Sequence, residues 1–232
     1  MGGSMSNAGG IGSSPRVLCL SGHASNKEVS ELQAMVLGFE DTHRLELDYL
    51  DGPFEVSTTT DPTLKGQLDG PFHAWGDPAG GHHDRDSLQA GVDHLLAHVA
   101  KHGPYDGIYG FSNGALIATL ATAMVEGDGY KSLEKYKGIL PWKFVILACG
   151  SCLDNEAFHP GGPSGGPKLS TPSLHLIGAK DSIRWRSDKL KATYEDPDSY
   201  LLEYAGHSLP MQAMEDSDLK AAVALFFGKL KG

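Results

Sequence analysis

Residues 108–115, I-Y-G-F-S-N-G-A, restrict the possible folds of this chain more than any other stretch. They contain the pentapeptide Gly110-Phe111-Ser112-Asn113-Gly114, a G-x-S-x-G. The residues before it, Tyr105-Asp106-Gly107-Ile108-Tyr109, are short and β-prone, and residues 115–124 (ALIATLATAM) favour a helix. A strand that turns tightly into a helix lifts the serine between them above the sheet. The turn is crowded, so positions two before and two after the serine must be small, which Gly110 and Gly114 satisfy. The helix that starts there also points free backbone N–H groups at whatever the serine attacks.

The rest of the chain reads as strands alternating with helices. Residues 16–20 (RVLCL) form an apolar first strand ending in Ser21-Gly22-His23. A helix over residues 27–39 is expected to bury Val29, Leu32, Met35, Val36 and Phe39. Residues 44–50 alternate as a second strand. Between residues 51 and 86 the periodicity fails, and this Thr-, Pro- and Gly-rich stretch is too long for a plain connector. It reads as a lid or pocket wall inserted after the second strand.

A helix follows over residues 87–102, with Leu88, Val92, Leu95, Leu96 and Val99 on one face. Further strands are expected at residues 143–148, 173–178 and 200–204, with helices over residues 187–193 and 211–230. The pattern implies a compact α/β fold: a mostly parallel sheet with helices on both faces. Residues 1–15 are expected to be disordered, with a native start at Met5, and residues 16–232 to form a single domain.

Bulk properties exclude several functions. With 19 Lys+Arg against 29 Asp+Glu, the net charge of −10 disfavours a nucleic-acid backbone as partner. No apolar run approaches the roughly 20 residues of a membrane span. Three cysteines, an odd number, suit a reducing, cytoplasmic setting better than a disulfide scaffold.

A serine hydroxyl needs a base, and the base needs a carboxylate that fixes its tautomer. On a fold of this kind, the chain order is Ser, then Asp or Glu, then His, each just past a strand. Asp181 follows the strand at 173–178 and His207 follows the strand at 200–204, so Ser112, Asp181 and His207 form the expected triad. Asp154 is the alternative acid, and Asp188 falls too deep in a helix. His159 and His175 are weaker bases, His175 lying inside a strand as a core histidine would. The oxyanion of a tetrahedral intermediate needs two donors in place. The backbone N–H groups of Asn113 and His23 are the expected pair.

The chain resembles the FSH family of small eukaryotic serine hydrolases, which have the α/β-hydrolase fold and include esterases and fungal polyketide-releasing thiohydrolases. The resemblance lies in Val17-Leu18-Cys19-Leu20-Ser21-Gly22, Asp51-Gly52-Pro53-Phe54-Glu55-Val56, the run G-P-Y-D-G-I-Y-G-F-S ending at Ser112, residues 173–178 (SLHLIG), and Gly206-His207. Where the family usually has His-Gly in the first loop and Gln after the nucleophile, this chain has Ser21-Gly22 and Asn113. The resemblance implies hydrolysis of carboxylic esters or thioesters of small to medium acyl chains through an acyl-serine intermediate. It also implies that neither metal nor organic cofactor is needed. A peptidase or lactonase on the same fold, or a non-catalytic binding module, are the alternatives.

Phe54, Trp75, Leu153, Phe158, Ile183, Trp185 and Leu209 lie near strand ends or in the insertion and are candidates for an acyl pocket. The partner is thus a small-molecule acyl substrate, and a homodimer is compatible with the chain. Three other features read as incidental. Cys149 and Cys152 form a C-x-x-C without the setting of a redox or metal motif. His94, His98 and His102 share a helix face as a surface stripe, and His82-His83 are read likewise.

Overall fold

The computed structural model of the protein describes residues 14–59, 68–78, 85–126, 142–153 and 168–231. Six strands form one sheet in the order β2-β1-β5-β6-β7-β8: β1 (Arg16–Leu20), β2 (Glu46–Leu50), β5 (Gly107–Phe111), β6 (Phe144–Ala148), β7 (Ser173–Gly178) and β8 (Asp198–Leu202). Every pairing in it is parallel. β6 and β7 are buried along their whole length, as apolar strands covered on both faces must be. The strand order runs one way from β1 to β2 and the other way from β5 to β8. This switch point opens a crevice between the carboxyl ends of β1 and β5, where ligands bind in sheets of this type.

Helices α1 (Lys27–Val36), α2 (Arg85–His102), α3 (Asn113–Glu126), α4 (Arg184–Lys191) and α5 (Ser217–Lys229) accompany the sheet. Two apolar clusters are formed. One joins α2 and α3 to the sheet through Leu88, Val92, Leu95, Leu96, Ile117 and Ile108. The other joins α1 and α5 to it through Ala34, Val36, Tyr109, Val223 and Phe226. All five residues expected on the buried face of α2 are in the first cluster. Among the described residues, no helix is long and apolar enough to cross a membrane.

Several local expectations are corrected. In α1, Leu32 and Met35 are exposed, and Ser30, Gln33 and Ala34 face inward with Val29 and Val36. A polar residue tolerates that face because the Tyr109 hydroxyl donates to Gln33 Oε1 at 3.1 Å. The helix stops before Gly38, whose φ of 65° suits glycine. The closing helix is broken: a 3-10 turn at Met211–Glu215 precedes α5. Asp216 caps α5 by accepting from the N–H groups of Asp218 and Leu219, at 3.0 and 2.9 Å. It also accepts from the Tyr200 and Tyr204 hydroxyls.

The described part of the insertion after β2 is a two-stranded antiparallel ribbon, β3 (Phe54–Val56) with β4 (Phe72–Ala74). It is pinned to the loop after β1, since Ser25 and His73 exchange backbone hydrogen bonds of 3.2 and 2.7 Å. Trp75, expected in a pocket wall, is a core residue with no exposed surface. Its indole N–H donates to the Ser21 carbonyl at 2.7 Å, so the large ring is buried without a lost hydrogen bond.

The histidines of α2 are not a bare surface stripe either. His94 Nε2 lies 3.2 Å from the Asp51 carbonyl, and His98 Nε2 lies 3.1 Å from the Tyr105 hydroxyl. Tyr105 in turn donates to Asp48 on β2. The His98 and His102 rings lie against each other with centroids 4.5 Å apart, tilted by 34°. His82 and His83 lie outside the described residues.

His175 in β7 is the core histidine expected. It is buried, bonded to Ser173 Oγ at 3.1 Å and edge-on to Tyr194. Burial, with the Lys191 charge adding to it, pushes its pKa from 6.5 down to about 3. The folded state therefore holds the neutral ring where the unfolded chain takes up a proton. The stability this contributes is complete above pH 6.5 and is lost as pH falls toward about 3. His175→Gln is expected to flatten the acid limb of stability against pH by about 1.4 kcal/mol per unit in that window. Denaturant melts across the window check this, and parallel acid limbs would contradict it.

Candidate active site

Ser112 sits at the turn from β5 into α3 with φ 52°, in the left-handed region that non-glycine residues seldom occupy. The turn is held from three sides. Ser112 N–H donates to Ala148 O at 2.9 Å, and Ser112 O accepts from Ser151 at 3.0 Å and from Leu116 at 3.3 Å. The need for small flanking residues is met as the sequence suggested. A Cβ on Gly110 would lie 2.6 Å from Ala115 N, and one on Gly114 would lie 2.6 Å from both Leu20 O and Ser21 O. The second contact also shows how closely the end of β1 approaches the serine turn.

His207 and Asp181 come from neighbouring loops after β8 and β7. These loops are joined through Lys180 N–H to Ala205 O at 2.9 Å and Ala179 N–H to Leu202 O at 3.0 Å. Asp181 is buried, and its Oδ1 accepts from Ile183 N–H at 2.9 Å. Its Oδ2 lies 2.7 Å from His207 Nδ1, and His207 Nε2 lies 2.9 Å from Ser112 Oγ. The Phe111 ring packs against the imidazole at 5.4 Å between centroids. Burial pushes the Asp181 carboxyl up, but the hydrogen bonds from His207 and Ile183 outweigh it and hold the acid below its ordinary range. A carboxylate held in this way keeps an imidazole proton on Nδ1, leaving Nε2 to accept from Ser112.

The two expected oxyanion donors lie on elements that meet here. Asn113 opens α3, where N–H groups lack helical acceptors. His23 lies in the loop after β1, the strand paired directly with β5. That loop is close to the serine turn: a Cβ on Gly22 would lie 3.1 Å from the Phe111 ring.

The pocket candidates scatter. Phe54 on β3 and Ile183 beside the acid are half-buried. Leu153 belongs to the same core cluster as Trp75, and Leu209 to the cluster on the opposite face. Trp185 is 45% exposed on α4, with Arg186 and Lys189 against its ring. Phe158, the alternative acid Asp154 and His159 lie outside the described residues. Asp188 is exposed on α4 and paired with Arg184, away from any catalytic contact. Neither Cys149 nor Cys152 is in a disulfide. Sequence reasoning missed that Cys149, at the end of β6, faces the His207 loop: its Sγ lies 3.8 Å from Gly206 O. The parallel order β6-β7-β8, which brings the carboxyl ends of these strands to one edge, is the signal that could have placed it there.

A family model described as serine hydrolase (FSH1) matches residues 11–219. "Esterase FPY3" of Fusarium mangiferae is 26% identical over 88% of this chain and 92% of its own length. "Esterase OVCA2" of Bos taurus is 28% identical over 85% of this chain and 90% of its own. Two Schizosaccharomyces pombe relatives are longer, and the chain spans 46% and 47% of them. Among solved structures, acyl-protein thioesterase 2 of Zea mays superposes with a TM-score of 0.56 at 18% identity, over 92% of this chain and 94% of that one. At that identity the likeness speaks for the fold.

Proposed function

Because the chain belongs to the FSH1 family of serine hydrolases, we propose that it cleaves carboxylic esters or thioesters of small to medium acyl chains with Ser112 as nucleophile. The observation that carries this reading is the continuous relay from Ser112 Oγ to His207 Nε2 at 2.9 Å and from His207 Nδ1 to Asp181 at 2.7 Å. His207 takes the Ser112 proton as Oγ attacks the acyl carbonyl. The Asp181 carboxylate stabilises the imidazolium so formed. The N–H groups of Asn113 and His23 receive the oxyanion. His207 then protonates the departing alcohol or thiol, and the acyl group remains on Ser112. Water, activated by the same imidazole, releases the acid and restores the serine. Nucleophile, base and acid are all side chains of this chain, so the cycle runs without metal or cofactor.

Phe54 and Ile183 are the lining residues we favour, since they are half-buried and lie in the ribbon and in the loop that carries the acid. Residues 16–232 are read as one α/β-hydrolase domain. That Cys19, Cys149 and Cys152 form no disulfide favours a cytoplasmic location.

Matched p-nitrophenyl esters and acyl thioesters of increasing chain length test the reading. Turnover that peaks at a short or medium acyl group is expected. Wild-type protein inert toward the whole series, esters and thioesters alike, would contradict it.

A further inference from the structure

One buried nucleophilic group at the site has no part in acyl transfer. Cys149 closes β6, between the strand that leads to Ser112 and the strand that leads to Asp181. Its thiol is buried and turned toward the His207 loop, 3.8 Å from Gly206 O and 4.0 Å from Ser208 O. Cys149 Sγ, a carboxylate oxygen of Asp181 and a ring nitrogen of His207 all lie within 4.8 Å of one another. Among the described residues, no other group of three Cys, His, Asp or Glu side chains brings its donor atoms so close.

Thiolate, imidazole and carboxylate together are the donors that select zinc and similar borderline-soft ions. Tetrahedral zinc with bonds of about 2.0–2.3 Å sets its ligand atoms roughly 3.5 Å apart. To reach that spacing the sulfur must approach by up to about an ångström, while His207 Nδ1 and Asp181 Oδ2, 2.7 Å apart, must open by slightly less, both within the range of side-chain movement. The base is the member of the cluster that reaches solvent: the His207 side chain is 33% exposed, whereas that of Asp181 is 1% exposed.

We propose that Cys149, Asp181 and His207 form an inhibitory site for a thiophilic divalent cation of the Zn²⁺ class. The Cys149 thiol releases its proton to solvent as sulfur binds the ion. The imidazole proton moves from Nδ1 to Nε2, and the freed Nδ1 lone pair binds the ion beside the Asp181 carboxylate. Nε2–H then donates to Ser112 Oγ and can no longer take its proton. Nothing is oxidised, so a chelator reverses the state. The inhibition rests on the function proposed above; the binding does not.

Two measurements separate them. The first is a Co²⁺ titration of the Ser112→Ala protein, read by thiolate-to-cobalt charge-transfer absorbance. A saturable band is expected, and it should vanish when Cys149→Ala or the volume-preserving Cys149→Ser is added. Metal held by the neighbouring His98 and His102 would give no thiolate band. The second is Zn²⁺ inhibition of ester turnover, reversible by EDTA. Loss of an outer partner alone weakens metal sites by about 10–100-fold. Cys149→Ala should therefore keep its turnover and need at least tenfold more Zn²⁺ for half-inhibition. No cobalt band, a band that survives both cysteine variants, or equal Zn²⁺ sensitivity of wild type and Cys149→Ala would overturn the proposal. If no ester is turned over at all, the cobalt titration still decides the binding site.

Discussion

Replacing Ser112 by alanine is expected to lower kcat by about 10⁶-fold on any ester the wild type hydrolyses, the scale seen when a triad nucleophile is removed. The substitution deletes one oxygen and little else. The backbone bonds that hold the turn, from Ser112 N–H to Ala148 O and from Ser151 and Leu116 to Ser112 O, do not involve the hydroxyl. Alanine at φ 52° is no more strained than serine, so the melting temperature should stay close to that of the wild type. What survives should be the modest acceleration due to binding and the oxyanion donors, about 10³–10⁴ over water. Steady-state rates on purified protein, with a thermal melt beside them, check both halves. A variant within tenfold of wild type would remove Ser112 from the chemistry.

Asp181→Asn should be nearly as damaging, lowering kcat by about 10⁴-fold with little change in KM. Local geometry decides which way the new amide faces. Ile183 N–H donates to Asp181 Oδ1 at 2.9 Å, so an acceptor is required there. The asparagine oxygen must take that position, which turns its NH₂ toward His207 Nδ1. Nδ1 is then forced to accept, the imidazole proton moves to Nε2, and the base can no longer receive the Ser112 proton. The carboxylate charge that would stabilise the imidazolium is lost as well. Asp181→Asn within tenfold of wild type would mean that the acid is supplied elsewhere.

The sheet and the triad were legible because short-range rules govern them. The strands that became β1, β6 and β7 are apolar runs between turn residues, and Gly110 and Gly114 flank a serine at a spacing only a crowded turn requires. Asp181 and His207 could be chosen because each follows a late strand. The errors arose where a distant partner reversed a local preference. Leu32 and Met35 looked like the buried face of α1, but Gln33 goes inward because Tyr109, far along the chain, supplies its hydrogen bond. Trp75 lies in a Gly- and Pro-rich stretch that reads as lid, yet its ring is buried because Ser21 O receives its N–H. The His94–His98–His102 stripe has ordinary surface spacing, and its partners Asp51 and Tyr105 come from other elements. The break at Asp216 was visible in principle. An aspartate two residues before Asp218 is a cap signal, but the helical spacing on either side concealed it.

The most direct test of an acyl-serine mechanism is covalent capture of the nucleophile by a fluorophosphonate, read as intact mass and then as the labelled peptide. A serine activated by His207 should take up one phosphonyl group per chain, on Ser112, and the Ser112→Ala protein should take up none. Protein that stays unlabelled at saturating reagent, or that carries the group on another residue, would contradict the assignment of Ser112.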